Sequence, residues 1–438
     1  MKKYLLASIC LLHSLSLFAI VTDTLIEEKY SVHFQATIVN QSKYGFTVPY
    51  SGINSLSEKY ENQTSLTSTL FLGAKTWKNG AIFLNPEIAG GSGLSSALGI
   101  ADATNGETFR VGDPAPKIYL ARLYFRQLFA LNNSTNYSDK DINQLAGRTP
   151  DKYISITIGK VGAADFFDDN KYSHDPRTQF LCWGLMDNGA WDYPANTRGY
   201  TPTALIEYVS PKNELRYGFS LLPLLANGND MNWNLSNSGS HNLEFTHHYI
   251  YKGKEGTIRI LGFYNYTKMG DYTQAVSNYT DVPDIISTRN YGRNKFGFAI
   301  NIEQEINKDL GFFMRASWND GKNETWAFTE IDRSVSAGIS LAGTKWKRKN
   351  DTFGLAAVVS GISAQHQLYL KNGGLGFILG DGQLNYAPES LLETYYSCEL
   401  IINEIYLSGT YQMLLNPGYN SDRKGPVNVL SLRLHVII

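Results

Sequence analysis

The sequence predicts an all-β fold, a transmembrane antiparallel β-barrel of about sixteen strands with inward-folded loops. Three observations predict it. Apolar and polar residues alternate with period two in segment after segment, which sets every second side chain on one sheet face. The polar positions of those segments carry Arg and Glu, which a wet lumen tolerates and a dry core does not. The chain also opens with an export signal, and no later apolar run is long enough for a helical span.

The export signal comes first in the chain. Lys2 and Lys3 give a positive start, and Tyr4 to Phe18 is almost wholly apolar but too short to cross a bilayer as a helix. Ala19 closes the run, with Leu17 two residues before it, so residues 1–19 read as a signal peptide cleaved at or near Ala19. Cys10 lies in the middle of the apolar run, which argues against a lipoprotein attachment site. Residues 20–438 then read as one barrel domain, exported through the periplasm to a bacterial outer membrane.

Composition agrees with that reading. The formal charge of −1 becomes −3 once Lys2 and Lys3 are removed, so there is no basic surplus and no case for nucleic acid as a partner. Abundant Gly (39) and Tyr (28) without helical spans suit a barrel with one greasy and one wet face. Cys182 and Cys398 outlast the signal; they could pair in an oxidising periplasm, although the lipid-facing position of Cys398 favours a free thiol.

The strands follow. Leu430, Leu432, Leu434, Val436 and Ile438 alternate with Ser431, Arg433 and His435. Phe296, Phe298, Ile300 and Ile302 alternate with Gly297, Ala299, Asn301 and Glu303. Tyr217, Phe219 and Leu221 oppose Arg216, Gly218 and Ser220, and Ile154, Ile156 and Ile158 oppose Ser155, Thr157 and Gly159. Tyr396, Cys398, Leu400 and Ile402 oppose Ser397, Glu399 and Ile401, and a further strand follows from Ile405 to Met413. Close pairs such as 243–251 with 257–265 and 296–305 with 310–318 read as hairpins. The largest irregular stretches are 85–117, 166–201 and 271–294, and loops of that length in a compact barrel are usually functional.

The stretch 119–130 bears most on chemistry. Arg122, Tyr124 and Arg126 share one face, while Tyr119, Ala121, Leu123, Phe125 and Phe129 share the other. An arginine among lipid tails costs about 2–4 kcal/mol at the bilayer midplane, so the arginine face is expected to line the lumen. An aromatic ring between two guanidinium forks suits a sugar, whose C–H face stacks and whose hydroxyls accept hydrogen bonds. Lumen arginines can equally brace the wall by pairing with Asp or Glu; Arg315, with Ser317 and Asn319, is another such position. Residues 168–199 are dense in Asp, Asn, Arg, Trp and Tyr, and either fold inward to narrow the lumen or form an outer loop.

No catalytic motif, metal site or cofactor fingerprint emerges. His241, Glu244, His247 and His248 are close in sequence, but on a strand the last two point to opposite faces.

The chain resembles the carbohydrate-selective porin family, the OprB type, over nearly its whole mature length. The resemblance rests on His33-Phe34-Gln35-Ala36-Thr37, on Thr64-Ser65-Leu66-Thr67 with Phe71-Leu72-Gly73-Ala74, and on Asn85-Pro86-Glu87 with Ala89-Gly90-Gly91. It continues in Asn105-Gly106-Glu107, Phe109-Arg110-Val111-Gly112 and Pro116-Lys117-Ile118-Tyr119-Leu120-Ala121-Arg122-Leu123. Asp175-Pro176-Arg177-Thr178-Gln179-Phe180, Gly189-Ala190-Trp191-Asp192-Tyr193-Pro194-Ala195 and Asn416-Pro417-Gly418-Tyr419-Asn420 complete it. The resemblance implies passive diffusion of glucose-like mono- or small oligosaccharides through a constriction of arginines and aromatics. It implies Arg110, Arg122, Arg126 and Arg177 as constriction residues, with Trp191 and Asp192 beside them. Carbohydrate solutes and outer-membrane lipid are the implied partners, and a homo-oligomer such as a trimer is compatible. Two departures are Cys182, where a polar Asn is expected, and Ile438, where an aromatic is usual. The alternatives are a general diffusion porin and, in another class, an outer-membrane hydrolase.

Overall fold

The computed structural model describes residues 26–107, 115–279, 281–326 and 330–438, and in it sixteen strands close an antiparallel barrel. The expected signal peptide and Arg110 lie outside the described residues. The wall begins with β1 (Tyr30–Lys43), β2 (Glu61–Lys75), β3 (Gly80–Gly91) and β4 (Lys117–Ala130). A two-stranded hairpin outside the wall follows, β5 (Thr135–Ser138) and β6 (Gly147–Pro150). The wall resumes with β7 (Tyr153–Val161), β8 (Thr201–Val209), β9 (Asn213–Ser220), β10 (Gly239–Tyr251), β11 (Lys254–Met269) and β12 (Asn290–Asn307). It ends with β13 (Leu310–Asn319), β14 (Arg333–Gly343), β15 (Arg348–Gly361), β16 (Glu389–Ile401), β17 (Ile405–Leu415) and β18 (Val427–Ile437). Closure puts Ile38 of β1 opposite Leu434 of β18, so the barrel wall itself leaves no strand edge to face lipid unsatisfied.

The alternation does what its period requires. Leu432 is 55 % exposed on the outer face while Ser431 and Arg433 are buried on the inner one. Phe296, Phe298, Ile158 and Ile206 stand outward in the same way, forming an apolar band that lipid covers. The two ends of the barrel differ. One carries short turns, such as 252–253 and 308–309, and the other carries long loops such as 162–200 and 362–388. Two expectations need correcting. The stretch from Asn85 is not irregular until after Gly91, and Leu221 falls just beyond β9. Cys182 is buried inside the barrel and Cys398 lies on β16; both are free thiols.

The lumen is largely filled. Loops 92–107 and 162–200 pack Phe167, Trp183, Trp191 and Tyr193 against Leu205, Leu261 and Phe263 of the wall. On another side Phe180, Cys182 and Leu185 pack on Phe313, Val358, Leu391 and Tyr395. A third cluster, built from loops 270–289, 362–388 and 416–426, closes over the long-loop end with Tyr272, Tyr369, Ile378 and Tyr419.

Loops buried like this carry backbone N–H groups that must find acceptors. Wall and loop carboxylates supply them. Glu389 accepts from the amides of Ala101, Asp102 and Gly418 at 2.7–3.1 Å. Glu393 accepts from Leu181 and Cys182 at 2.6 and 2.8 Å. Glu244 accepts from Asp168 N at 2.8 Å, and Glu330 from Ile378 and Leu379 at 3.0 and 2.8 Å. Arg315, expected on the inner face, is there, but it is covered: its Nε meets Asp168 at 3.2 Å and its Nη1 donates to Leu185 O at 2.8 Å. It therefore braces the filling rather than facing a channel.

Asp102, on loop 92–107, is fully buried, and that burial pushes its carboxyl up to about 7 from an ordinary 3.8. The folded barrel then holds the proton that an unfolded chain releases. Stability falls as pH rises from about 4 to about 7, and the penalty is complete above that window. Asp102→Asn should accordingly raise the melting temperature at pH 8 and leave it unchanged at pH 4. An equal shift at both pH values would show that the carboxyl's ionisation is not the cause.

Candidate functional site

The filling leaves open the side of the lumen next to β1–β4. A space of about 490 Å³ lies there, within the range of about 300–1,000 Å³ typical of small-molecule sites. Its walls come from Thr67 and Phe71 of β2, Glu87 of β3 and Tyr119, Arg122, Tyr124 and Arg126 of β4. The loop side supplies Glu107, Asp165, Phe166, Arg177, Arg198 and Tyr200.

A bulge shapes this wall. β3 and β4 pair Asn85 with Arg122 but Pro86 with Leu120, so Ala121 is an extra residue on β4. Pro86 cannot donate a ladder hydrogen bond, and a bulge is one of the few places a strand accommodates proline. The extra residue inverts the alternation upstream. Tyr119 and Ala121, expected among the lipid-facing residues, therefore turn inward, and Ala121 is fully buried while Tyr119 lines the open space. Arg122, Tyr124 and Arg126 keep the inward direction expected of them.

Glu87 organises the centre. It accepts from Thr69 Oγ1 at 2.6 Å, from Tyr200 OH at 3.1 Å and from Tyr119 OH, with Arg177 Nη2 3.6 Å away. The two tyrosine rings stand 6.2 Å apart, with a guanidinium over each: Arg122 is 5.0 Å from the Tyr200 ring and Arg198 is 4.3 Å from the Tyr119 ring. Arg122 also forms a two-pronged pair with Asp165, Nε to Oδ2 at 2.6 Å. Burial alone would raise the Asp165 carboxyl, but Arg122 and the Gly162 amide hold it below the ordinary carboxylate value. Arg177 Nε meets Glu107 at 2.7 Å, and there burial prevails over Arg177 and raises the Glu107 carboxyl. Among the described lining residues four arginines (122, 126, 177, 198) face four carboxylates (Glu87, Glu107, Asp165, Asp175). Such a wall offers dense hydrogen bonding and little net field, which favours a neutral polar solute over an ion of either sign.

Not every expected residue reaches this space. Arg126 lines it below Arg122, paired with Glu207 at 3.2 Å and near the Phe166 ring. Tyr124 is nearly buried between Phe83 and Phe166. Trp191 and Asp192 do not line it. Trp191 is a core residue of the filling, edge-to-face with Phe167 and donating from Nε1 to Asn242 at 2.9 Å. Asp192 is buried and accepts the Trp326 amide at 3.0 Å. Their local density of polar and aromatic residues serves loop packing. Glu87, Tyr119, Arg198 and Tyr200 are the central groups that sequence reasoning did not single out; Pro86 within a strand was the available sign of the bulge. Of the histidine cluster, His241 sits among Tyr217, Phe219, Tyr264 and Tyr266, Glu244 is buried beside Arg216, His247 meets Asn213 at 2.8 Å and His248 meets Glu214 at 3.0 Å.

A family model described as "Carbohydrate-selective porin, OprB family" matches residues 57–437. OprB of Pseudomonas putida is similar in structure, with a TM-score of 0.69 and 13% identity, 94% of each chain being covered. The outer membrane channel DcaP of Acinetobacter baumannii aligns with a TM-score of 0.49 and 11% identity over 94% of this chain and 99% of that one. No curated protein matches in sequence.

Proposed function

The chain belongs to the carbohydrate-selective porin OprB family, and we propose that it passes carbohydrates by facilitated diffusion across a bacterial outer membrane. It is an outer-membrane porin by family and fold. The observation that carries the carbohydrate reading is the Arg122–Tyr200 and Arg198–Tyr119 stacking around Glu87, in a lumen space whose charges balance.

The chemistry fits in detail. A sugar ring presents an apolar C–H face to a tyrosine ring and a rim of hydroxyls to guanidinium and carboxylate groups. Fixed planar guanidinium forks reward a solute with adjacent hydroxyls. Passage also requires weak binding, because a solute held tightly blocks its own exit. Mutually neutralised charges along the space provide such weak, replaceable contacts. Arg110 is proposed as a further constriction residue on family resemblance alone. The open lumen needs no nucleophile or bound cofactor for this task.

Planar-bilayer recordings test the proposal. Glucose and short oligosaccharides should reduce the ionic current in a saturable way, while amino acids of similar size should not. A current indifferent to the whole sugar panel would instead make the protein a general diffusion porin.

A further inference from the structure

The short-turn end of the barrel holds one element that its neighbours do not explain. Six of its connections are two to four residues long: 76–79, 210–212, 252–253, 308–309, 344–347 and 402–404. The seventh, 131–152, has 22 residues and contains the β5–β6 hairpin. Outer-membrane barrels place short turns on the periplasmic side, so this insert stands at the periplasmic mouth.

The insert is fastened rather than loose. Ser138 and Thr149 bond across the hairpin at 2.9 Å. Glu28, just before β1, exchanges two bonds with Ala146: its amide donates to Ala146 O at 2.9 Å and its carboxylate accepts from Ala146 N at 2.8 Å. Tyr137 OH donates to Ile26 O at 2.9 Å. Held at its base, the insert sends its tip inward. Asn143 sits in the left-handed region (φ 54°) and its Oδ1 accepts from Asn85 Nδ2 at 2.9 Å, two residues along β3 from Glu87. Ile142, Asn143 and Gln144 line the main lumen space.

Below the tip lies a second space of about 190 Å³, enclosed between the insert and the wall residues Lys75, Phe83 and Tyr153. The two spaces share three residues: Arg126, Asn143 and Gln144. A solute leaving the arginine–tyrosine site toward the periplasm meets these three side chains next.

The geometry points to a second, periplasmic selectivity station, in which the tip amides of Asn143 and Gln144 with Arg126 form a neck that sizes and binds neutral polyhydroxylated solutes. The assignment deepens the carbohydrate reading and rests on it for the class of solute. Asn143 Oδ1 is engaged by Asn85 and Gln144 Nε2 donates to Asp139 O at 2.7 Å, which leaves Asn143 Nδ2 to donate and Gln144 Oε1 to accept, a pair that suits a hydroxyl-bearing solute and carries no charge to trap an ion. Because two of the three neck residues belong to the insert and only Arg126 to the barrel wall, the neck's width can be changed at Asn143 and Gln144 without disturbing the strand ladder.

The test uses the full-length barrel in planar bilayers, with glucose and maltotriose as probes. Asn143→Gly with Gln144→Ala removes both amides, and glycine accepts the positive φ at no steric cost. Conductance should rise about 1.5-fold or more, and maltotriose residence time should fall at least about threefold, more than that of glucose. A second measurement places a thiol at the neck. Gln144→Cys, treated with a water-soluble methanethiosulfonate, should lose current in a step, with the wild-type chain as control for Cys182 and Cys398. Unchanged conductance in the double variant together with no current step in Gln144→Cys would overturn the neck. If wild-type current ignores both sugars, the carbohydrate reading fails and so does the binding part of this inference. Changed conductance or a current step would then still support the neck, and the absence of both would sink it as well.

Discussion

Replacing both Arg122 and Arg126 by Ala should roughly double open-channel conductance and weaken sugar block by about tenfold or more. The two arginines share the inner face of β4 but sit about 13 Å apart along it, by strand rise. Arg122 stacks over Tyr200 and pairs with Asp165, so its loss removes one guanidinium fork from the ring pair around Glu87. Arg126 pairs with Glu207 and borders both lumen spaces. The single variants should therefore separate. Arg122→Ala should act mainly on sugar block, and Arg126→Ala mainly on conductance.

Losing Arg122 also strands Asp165, which still accepts the Gly162 amide at 2.9 Å. Adding Asp165→Asn removes that orphan charge, so any ion selectivity gained by Arg122→Ala should disappear in the combined variant while the loss of sugar block remains. Arg122→Lys should not restore block, because an ammonium keeps the charge but neither the planar fork nor the stacking surface. If the double alanine variant conducts and blocks as the wild type does, the arginines only brace the wall.

What the sequence made legible follows from where its physics is local. Period-two alternation is a property of neighbouring residues, so the strands and the lumen direction of Arg122, Tyr124 and Arg126 could be read directly. The extra residue at Ala121 is a property of two strands paired together. Without the register of β3 against β4, Tyr119 reads as lipid-facing, although one shifted residue turns it inward. Loop contents are less legible still. Trp191 and Asp192 have the composition of a binding site, yet long-range packing decides whether a tryptophan faces water or Phe167. The same holds for the wall acids. A glutamate at an inner position of β16 is consistent with an open lumen. Only the folded loops reveal that Glu389 and Glu393 face peptide N–H groups and not solvent.

Those two acids carry the second large expected effect. Glu389 and Glu393 lie four residues apart on the inner face of β16, one holding loops 92–107 and 416–426, the other holding loop 162–200. Each peptide N–H left buried without its acceptor costs about 1–3 kcal/mol. Glu389→Ala with Glu393→Ala should thus loosen the filling while the strand ladder, which does not depend on them, still closes. The expected result is a barrel with unchanged β-sheet circular dichroism, noisy conductance raised about threefold or more, and new protease cleavage in the loops. The chain carries its own reporter of this change. Cys182 is fully buried in the wild type, its amide donates to Glu393 at 2.8 Å and its thiol to Asp102 O at 3.3 Å. A thiol reagent should leave Cys182 untouched in the wild type and modify it in the double variant. Glu393→Gln keeps one acceptor oxygen but turns an NH2 toward the donor that the other oxygen serves, Leu181 N on one side or Cys182 N and Gln412 Nε2 on the other, so it should protect Cys182 only in part. Full protection of Cys182 in the double alanine variant would mean that apolar packing of Phe180 and Leu185 holds the loop in place without the carboxylates.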